Sequence, residues 1–223
     1  SYILPQVRQK LSTFNIPVIA WGPNDNLTSL IMLLGAITNQ TGKAIALINW
    51  MTKLKHEIKS YQAQVAIHPK AYVIFSWEYS PWYVAGNGSN PYVVALMAGL
   101  RPCFNKSMQV RPEAVLECNP DVIIAVSWKL NPHASNATQY CKAIINSIKR
   151  NPVLNQTIAV KEGRILVIPG YLTQGPPMYA VALYIESVLW PSVVRVNATE
   201  VLAQYFNEFL TTARSRGTWW CTG

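Results

Sequence analysis

The run from Val110 to Ala125, VRPEAVLECNPDVIIA, constrains the fold of this 223-residue chain more than any other stretch. Pro112 opens a short helix and Asn119-Pro120 closes around its end, both positions where a missing N–H costs little. An apolar run too short for a helix follows at once. Asp121 to Val126 is rich in Val and Ile and shows no polar alternation, the pattern of a strand in a parallel sheet covered on both faces. The expected class is therefore α/β.

Other segments extend this reading. Asn26 to Gln64 carries helical apolar spacing, with Leu30, Leu33, Leu34, Ile37, Ala44, Leu47, Ile48, Met51, Leu54 and Ile58 expected to face inward. Strands are expected at Val18 to Trp21, Tyr72 to Phe75, Val122 to Val126 and Ile165 to Ile168. Gly86-Asn87-Gly88-Ser89 precedes a helix that ends at Gly99. A last helix runs from about Glu200 to Ala213, with Thr199 as its cap and Val201, Leu202, Tyr205, Phe206 and Phe209 on its apolar face.

The helix, the Asn119-Pro120-Asp121 corner and the β-run resemble the C-terminal lobe of the substrate-binding proteins of ABC importers. The resemblance is to the cluster that captures iron–siderophores, haem and cobalamin. Leu34-Gly35 through Thr41-Gly42-Lys43-Ala44 is similar to the pattern of that family's long inter-lobe helix, and Ala159-Val160 with Gly163-Arg164 resembles the approach to its last strand. It implies a three-layer α/β sandwich with a parallel-dominated sheet. Residues 1–25 would be a remnant of the N-terminal lobe, 26–65 the long inter-lobe helix, 66–213 the C-terminal lobe and 214–223 an aromatic tail. Gln6 to Trp21 resembles only the end of the first lobe, so the chain is expected to be either a fragment or a member with half a cleft. The family also often has an Arg after its Gly-Pro, where this chain has Pro177 after Gly175-Pro176. That departure argues against a carboxylate-rich siderophore or haem propionates.

Composition bounds the surroundings. Charged residues are 13% of the chain, against about 25% in an ordinary soluble domain. The net charge of +9 reflects few carboxylates, not a basic patch: Lys53, Lys55 and Lys59 lie on an outer helix face and Arg214 and Arg216 in the tail. No nucleic-acid motif accompanies it, so no nucleic-acid partner is expected. No apolar stretch reaches the roughly 18 to 20 residues a membrane span needs. Any membrane association is expected through a partner or a removed anchor. Asn-X-Ser/Thr acceptor sites stand at Asn26, Asn39, Asn87, Asn105, Asn136, Asn155 and Asn197, where composition alone gives about two. The excess points to N-glycans on an extracellular, cell-surface chain, and, for an importer protein, to an archaeal surface. Cys103, Cys118, Cys141 and Cys221 have no CxxC spacing, and His56, His68 and His133 are not at ligand intervals from them, so no metal site is expected. Two disulfides fit an oxidising location; of three connectivities, Cys103 with Cys118 and Cys141 with Cys221 is preferred, free buried cysteines being the alternative.

Ligands of open α/β sheets bind beyond the carboxyl ends of the strands. There the sequence places Trp77, Glu78, Tyr79, Trp82 and Tyr83, then Trp128 and Lys129, then Tyr171. Trp77, Tyr79, Trp82, Tyr83, Trp128 and Tyr171 are the expected ligand-binding residues, an aromatic floor for a metal chelate or corrinoid. Such rings also plug sheets and pack against neighbouring lobes. Asn87-Gly88-Ser89-Asn90 offers N–H groups at a helix N-terminus to an anion. Glu113 matches the acid that docks the family's C-terminal lobe on its permease, and is equally a first-turn charge favoured by the helix dipole. The chain has no GxSxG, HExxH, P-loop or GxGxxG after a strand, so it reads as no enzyme and needs no cofactor beyond a transported ligand. Two functions remain: a solute-binding protein delivering a chelate or corrinoid to an ABC permease, or a self-associating surface subunit (filament or coat) on the same scaffold.

Overall fold

Asn119 explains why the Asn-Pro-Asp corner is so informative. It takes the left-handed conformation (φ 45°, ψ 71°) that ends α5, Pro112–Cys118. Asn is among the few residues that visit this region readily. Its Oδ1 accepts the Ile158 N–H at 3.0 Å, and the Pro120 carbonyl accepts the Ala159 N–H at 3.0 Å. Asp121 Oδ2 accepts the Lys70 N–H at 2.7 Å. One corner thus ties α5 to the start of β1, Lys70–Ile74, and to α7, Ile158–Lys161.

The computed structural model describes residues 5–18, 26–210 and 217–223. Contacts divide the chain into two compact units, Ser1–Asn49 and Trp50–Gly223. The first holds α1, Pro5–Ser12, α2, Leu27–Ile37, and the first turns of α3, Thr41–Gln62. The expected strand Val18 to Trp21 lies largely outside the described residues.

The expected single helix from 26 to 65 is two helices. α2 stops where Thr38 Oγ1 donates to the Leu34 carbonyl at 2.7 Å and Asn39 turns to φ 55°. Gly35 makes the reversal compact, because a Cβ there would stand 2.5 Å from Ala44 Cβ. The Leu34-Gly35…Thr41-Gly42-Lys43-Ala44 pattern is therefore a tight helix–helix turn. Ala44, Met51, Leu54 and Ile58 are buried as expected. Leu33, Leu34 and Ile37 are not: the kink turns them to the exposed side, 45%, 45% and 59% accessible.

In the second unit β1, β5 (Val122–Ser127) and β6 (Ile165–Pro169) form a parallel core, with Ala71 opposite Val122 and Ile123 opposite Ile165. Their residues are buried on both faces. On one face Tyr72, Ile74, Ile123, Ala125, Ile165 and Val167 pack with Val115 of α5 and with Cys141, Ile144, Ile145 and Ile148 of α6, Ala137–Arg150. The alternate residues turn to the opposite face, where α4 (Asn90–Met97) packs on β1 and against α8 (Met178–Leu189). These are the three layers of the expected sandwich.

Four two-residue strands complete the sheet: β2, Tyr83–Val84, β3, Arg101–Pro102, β4, Met108–Gln109, and β7, Cys221–Thr222. β3 joins β1 in parallel; β2 and β4 extend one side and β7 the other, all antiparallel. The last helix, α9, spans Ala198–Phe209, and its cap is Asn197, not Thr199. Asn197 Oδ1 reaches the N–H groups of Thr199 and Glu200, two residues earlier than the Thr hydroxyl would. The stretch expected at 211–213 lies outside the described residues.

The chain's end is not a free aromatic strip. Trp219 is buried and stacks on Phe206 at 4.9 Å, and Trp220 stacks on Tyr184 at 4.5 Å. The structure joins Cys103 to Cys118 and Cys141 to Cys221, with Cα atoms 6.0 and 6.4 Å apart, the pairing preferred from sequence.

Candidate ligand-binding wall

Four rings meet where β1 and β5 end. Phe75 follows β1, and the chain then doubles back so that Phe75 N–H donates to the Tyr83 carbonyl at 2.9 Å. This turn stacks Phe75 edge-on to Tyr83 (5.8 Å, 78°) and Tyr79 edge-on to Tyr83 (5.5 Å, 89°). Trp128, just past β5, lies 6.0 Å from Phe75. Tilted and edge-to-face pairs are favoured for aromatic rings and hold them without fully covering their faces. With Ser76 they line an open cavity of about 560 Å³, a size that suits a small ligand.

Trp128 is fixed from several sides. Its indole Nε1–H donates to the Phe75 carbonyl at 3.0 Å. Its ring lies so close over Gly170 that a Cβ there would stand 2.4 Å from it. Its backbone N–H donates to Glu78 Oε2 at 3.1 Å. Glu78 also receives hydrogen bonds from the Ser127 hydroxyl and, at 3.0 Å, from the Tyr140 hydroxyl of α6. Burial alone would push the Glu78 carboxyl up, but these bonds and one from its own N–H outweigh it and hold the group below the usual carboxylate range.

The expected site residues divide. Tyr79, Tyr83 and Trp128 come together in the cavity. Trp77 and Trp82 are half-buried and pack on the hydrophobic core instead, Trp77 tethered by its N–H to the Val126 carbonyl at 2.8 Å. Tyr171 stands exposed on the turn after β6 and does not line the cavity. Phe75 and Ser76, read as strand end and loop, are lining residues; their place directly after a buried strand was the available signal. At the N-terminus of α4, Pro91 removes one of the donors an anion would use, and Ser89 donates inward to the Gly86 carbonyl at 2.7 Å. Glu113 is exposed in the first turn of α5.

All seven acceptor asparagines are exposed. Among the described residues no group of three His, Cys, Asp or Glu is placed to hold a metal, and no helix is long and apolar enough to cross a membrane.

A sequence model described as periplasmic binding protein matches residues 4–172. No curated protein matches the sequence. Among solved structures the chain is similar to a TroA-like periplasmic binding protein, FepB, from Veillonella parvula (TM-score 0.79, 18% identity, 97% of this chain, 67% of that one). It is similar also to molybdate-bound MolA from Haemophilus influenzae (0.69, 16%, 94% and 70%) and to a periplasmic heme-binding protein from Pseudomonas aeruginosa (0.64, 21%, 85% and 69%). The chain thus spans about two thirds of the length of these proteins.

Proposed function

Since the chain belongs to the periplasmic binding protein family, we propose that it is the extracellular ligand-capturing component of an ABC importer, taking a metal chelate or corrinoid. The observation that carries this reading is the wall of Phe75, Tyr79, Tyr83 and Trp128 beyond the carboxyl ends of β1 and β5. Its rings offer broad apolar faces and phenol hydroxyls, with no charged residue among the described lining, which suits the face of an apolar ligand of low peripheral charge. The ligands of the similar solved proteins, heme and molybdate, support a transport role without fixing this chain's cargo. Glu113, exposed on α5, is the proposed permease-docking acid. The exposed acceptor asparagines support a glycosylated surface protein, and for an importer component an archaeal one.

The test is a fluorescence titration of the protein with haemin, an iron(III)–hydroxamate chelate and a cobalamin. Saturable quenching by one of them, weakened at least about tenfold by Trp128→Ala, is the expected result. Absence of binding to all three would overturn the reading. The exposed Leu33, Leu34 and Ile37 favour a second reading, a self-associating surface subunit. Sedimentation showing polymers of the glycosylated protein, with no ligand bound, would move it to the front.

A further inference from the structure

We infer that Glu78 is a positioning residue that sets the place of the Trp128 indole in the cavity wall. Its role in ligand capture rests on the function proposed above; its hold on Trp128 does not. The carboxylate gathers three separate segments. From its own loop after β1 it accepts the Ser127 hydroxyl at the end of β5, the Trp128 N–H at 3.1 Å and the Tyr140 hydroxyl of α6 at 3.0 Å. Ser127 is fully buried, and its Oγ in turn accepts the Leu130 N–H at 3.0 Å, so the turn 127–130 closes on the same hub. All three partners of Glu78 are donors. An ionised carboxylate has only acceptor sites and meets them all.

The consequence reaches the wall through Trp128. Its indole is placed by the Phe75 carbonyl at one end and by the backbone held at Glu78 at the other. The ring is 40% exposed, so its packing over Gly170 and beside Phe75 covers only part of it and the anchored backbone bears on its place. Ordering such a ring in advance removes a cost that binding would otherwise bear. Glu78→Gln keeps the shape and weakens the hold: with its oxygen on the Trp128 N–H, its NH2 faces the Ser127 and Tyr140 hydroxyls, which must turn from donating to accepting, and every bond of the hub loses its charge assistance.

The experiment incorporates 5-fluorotryptophan and records fluorine spectra of the whole protein. Trp128→Phe identifies the Trp128 signal among the eight tryptophans. In Glu78→Gln that signal is expected to broaden or shift while those of buried Trp219 and of the others hold. Tyr140→Phe should give a smaller change of the same kind. Glu78→Asp, whose shorter arm keeps the acceptor chemistry, should recover part of the wild-type signal. An unmoved Trp128 signal in Glu78→Gln would overturn the inference, and so would all eight signals moving together, which marks general loosening.

Haemin, the iron(III)–hydroxamate chelate and the cobalamin are then titrated into wild type and variant. For a probe that binds wild type, about tenfold weaker binding to Glu78→Gln is expected, the scale of one hydrogen bond to a charged group. Equal affinity despite a displaced Trp128 signal would overturn the link to capture. If no probe binds wild type, the proposed function fails and the fluorine spectra still decide what Glu78 does.

Discussion

Gly170 and Trp128 show how one missing side chain shapes the cavity. The indole occupies the space that a Cβ at 170 would need, 2.4 Å from the nearest ring atom. Gly170→Ala should therefore swing Trp128 out of the wall, costing about 1–3 kcal/mol of stability and most of the fluorescence response to ligand. Thermal melting beside the titration separates the two effects. Glu186 presents a different problem. It is fully buried in α8, Oε1 takes the Gln62 Nε2–H at 2.9 Å, and Oε2 is buried without a hydrogen-bond partner among the described residues. Burial pushes this carboxyl up to about 7, partly offset by the Gln62 bond. Between an ordinary carboxylate pKa and 7 the folded protein keeps a proton that the unfolded chain has lost, so stability falls as pH rises across that window. The loss amounts to about 3 kcal/mol, complete above pH 7. Urea midpoints at pH 5 and pH 8 should show it in wild type and not in Glu186→Gln; parallel curves for the two proteins would refute it. At this scale the sequence showed which loops carry the rings but not which way they face. Trp77 and Trp82 turn to the core because the 75–83 segment folds back on itself through the Phe75–Tyr83 hydrogen bond, a reversal no periodicity announces.

Helix ends were the least legible elements, and asparagine is the reason. Asn26 and Asn197 cap α2 and α9 through their side chains, Asn136 stands at the N-cap of α6, and Asn39 makes the left-handed turn between α2 and α3. Three of the seven acceptor sites, Asn26, Asn39 and Asn197, thus have a backbone reason for being Asn, while Asn136 makes no side-chain cap bond. Capping does not compete with a glycan, since Oδ1 accepts the helix N–H at Asn26 and Asn197 while a sugar would take Nδ2. The same positions read as sequons and as caps, and the long apolar period from 26 to 64 hid the break at Asn39. Asn39→Ala should cost about 1 kcal/mol, because a Cβ without a polar partner is strained at φ 55°, whereas Asn39→Gly should cost nothing or stabilise. Asn197→Ala should lose about 1 kcal/mol through its cap. Equal chemical-denaturation midpoints for Asn39→Ala and Asn39→Gly would show that the turn does not depend on the left-handed conformation.

On the scale of the whole molecule, the parallel core was legible because β1, β5 and β6 are continuous apolar runs with flanking helices, and the four two-residue strands were not, since two residues carry no period. The tail shows what that omission hid. β7 pairs with β6, and Gly223 N–H donates to the Ile165 carbonyl at 3.1 Å. Thr218 N–H reaches Pro132 at 2.9 Å, both terminal indoles stack on helices, and Cys221 is bonded to Cys141 of α6, 80 residues away. Two kinds of hold can be told apart. The bond acts mainly by restricting the unfolded chain, so removing it through a Cys141→Ala, Cys221→Ala pair should lower stability by about 2–4 kcal/mol. The folded tail should stay in place, because its ladder and ring contacts do not need the sulfurs. Trp219→Ala acts on the folded side: it empties a buried site against Phe206 and should cost about 3–5 kcal/mol with the disulfide intact. Near-UV circular dichroism follows the stacked indoles, and urea unfolding gives the stabilities. A native spectrum in the cysteine pair with a reduced midpoint is the expected outcome. Loss of the indole signal in that pair, before global unfolding, would mean that the disulfide and not the stacked rings keeps β7 on the sheet.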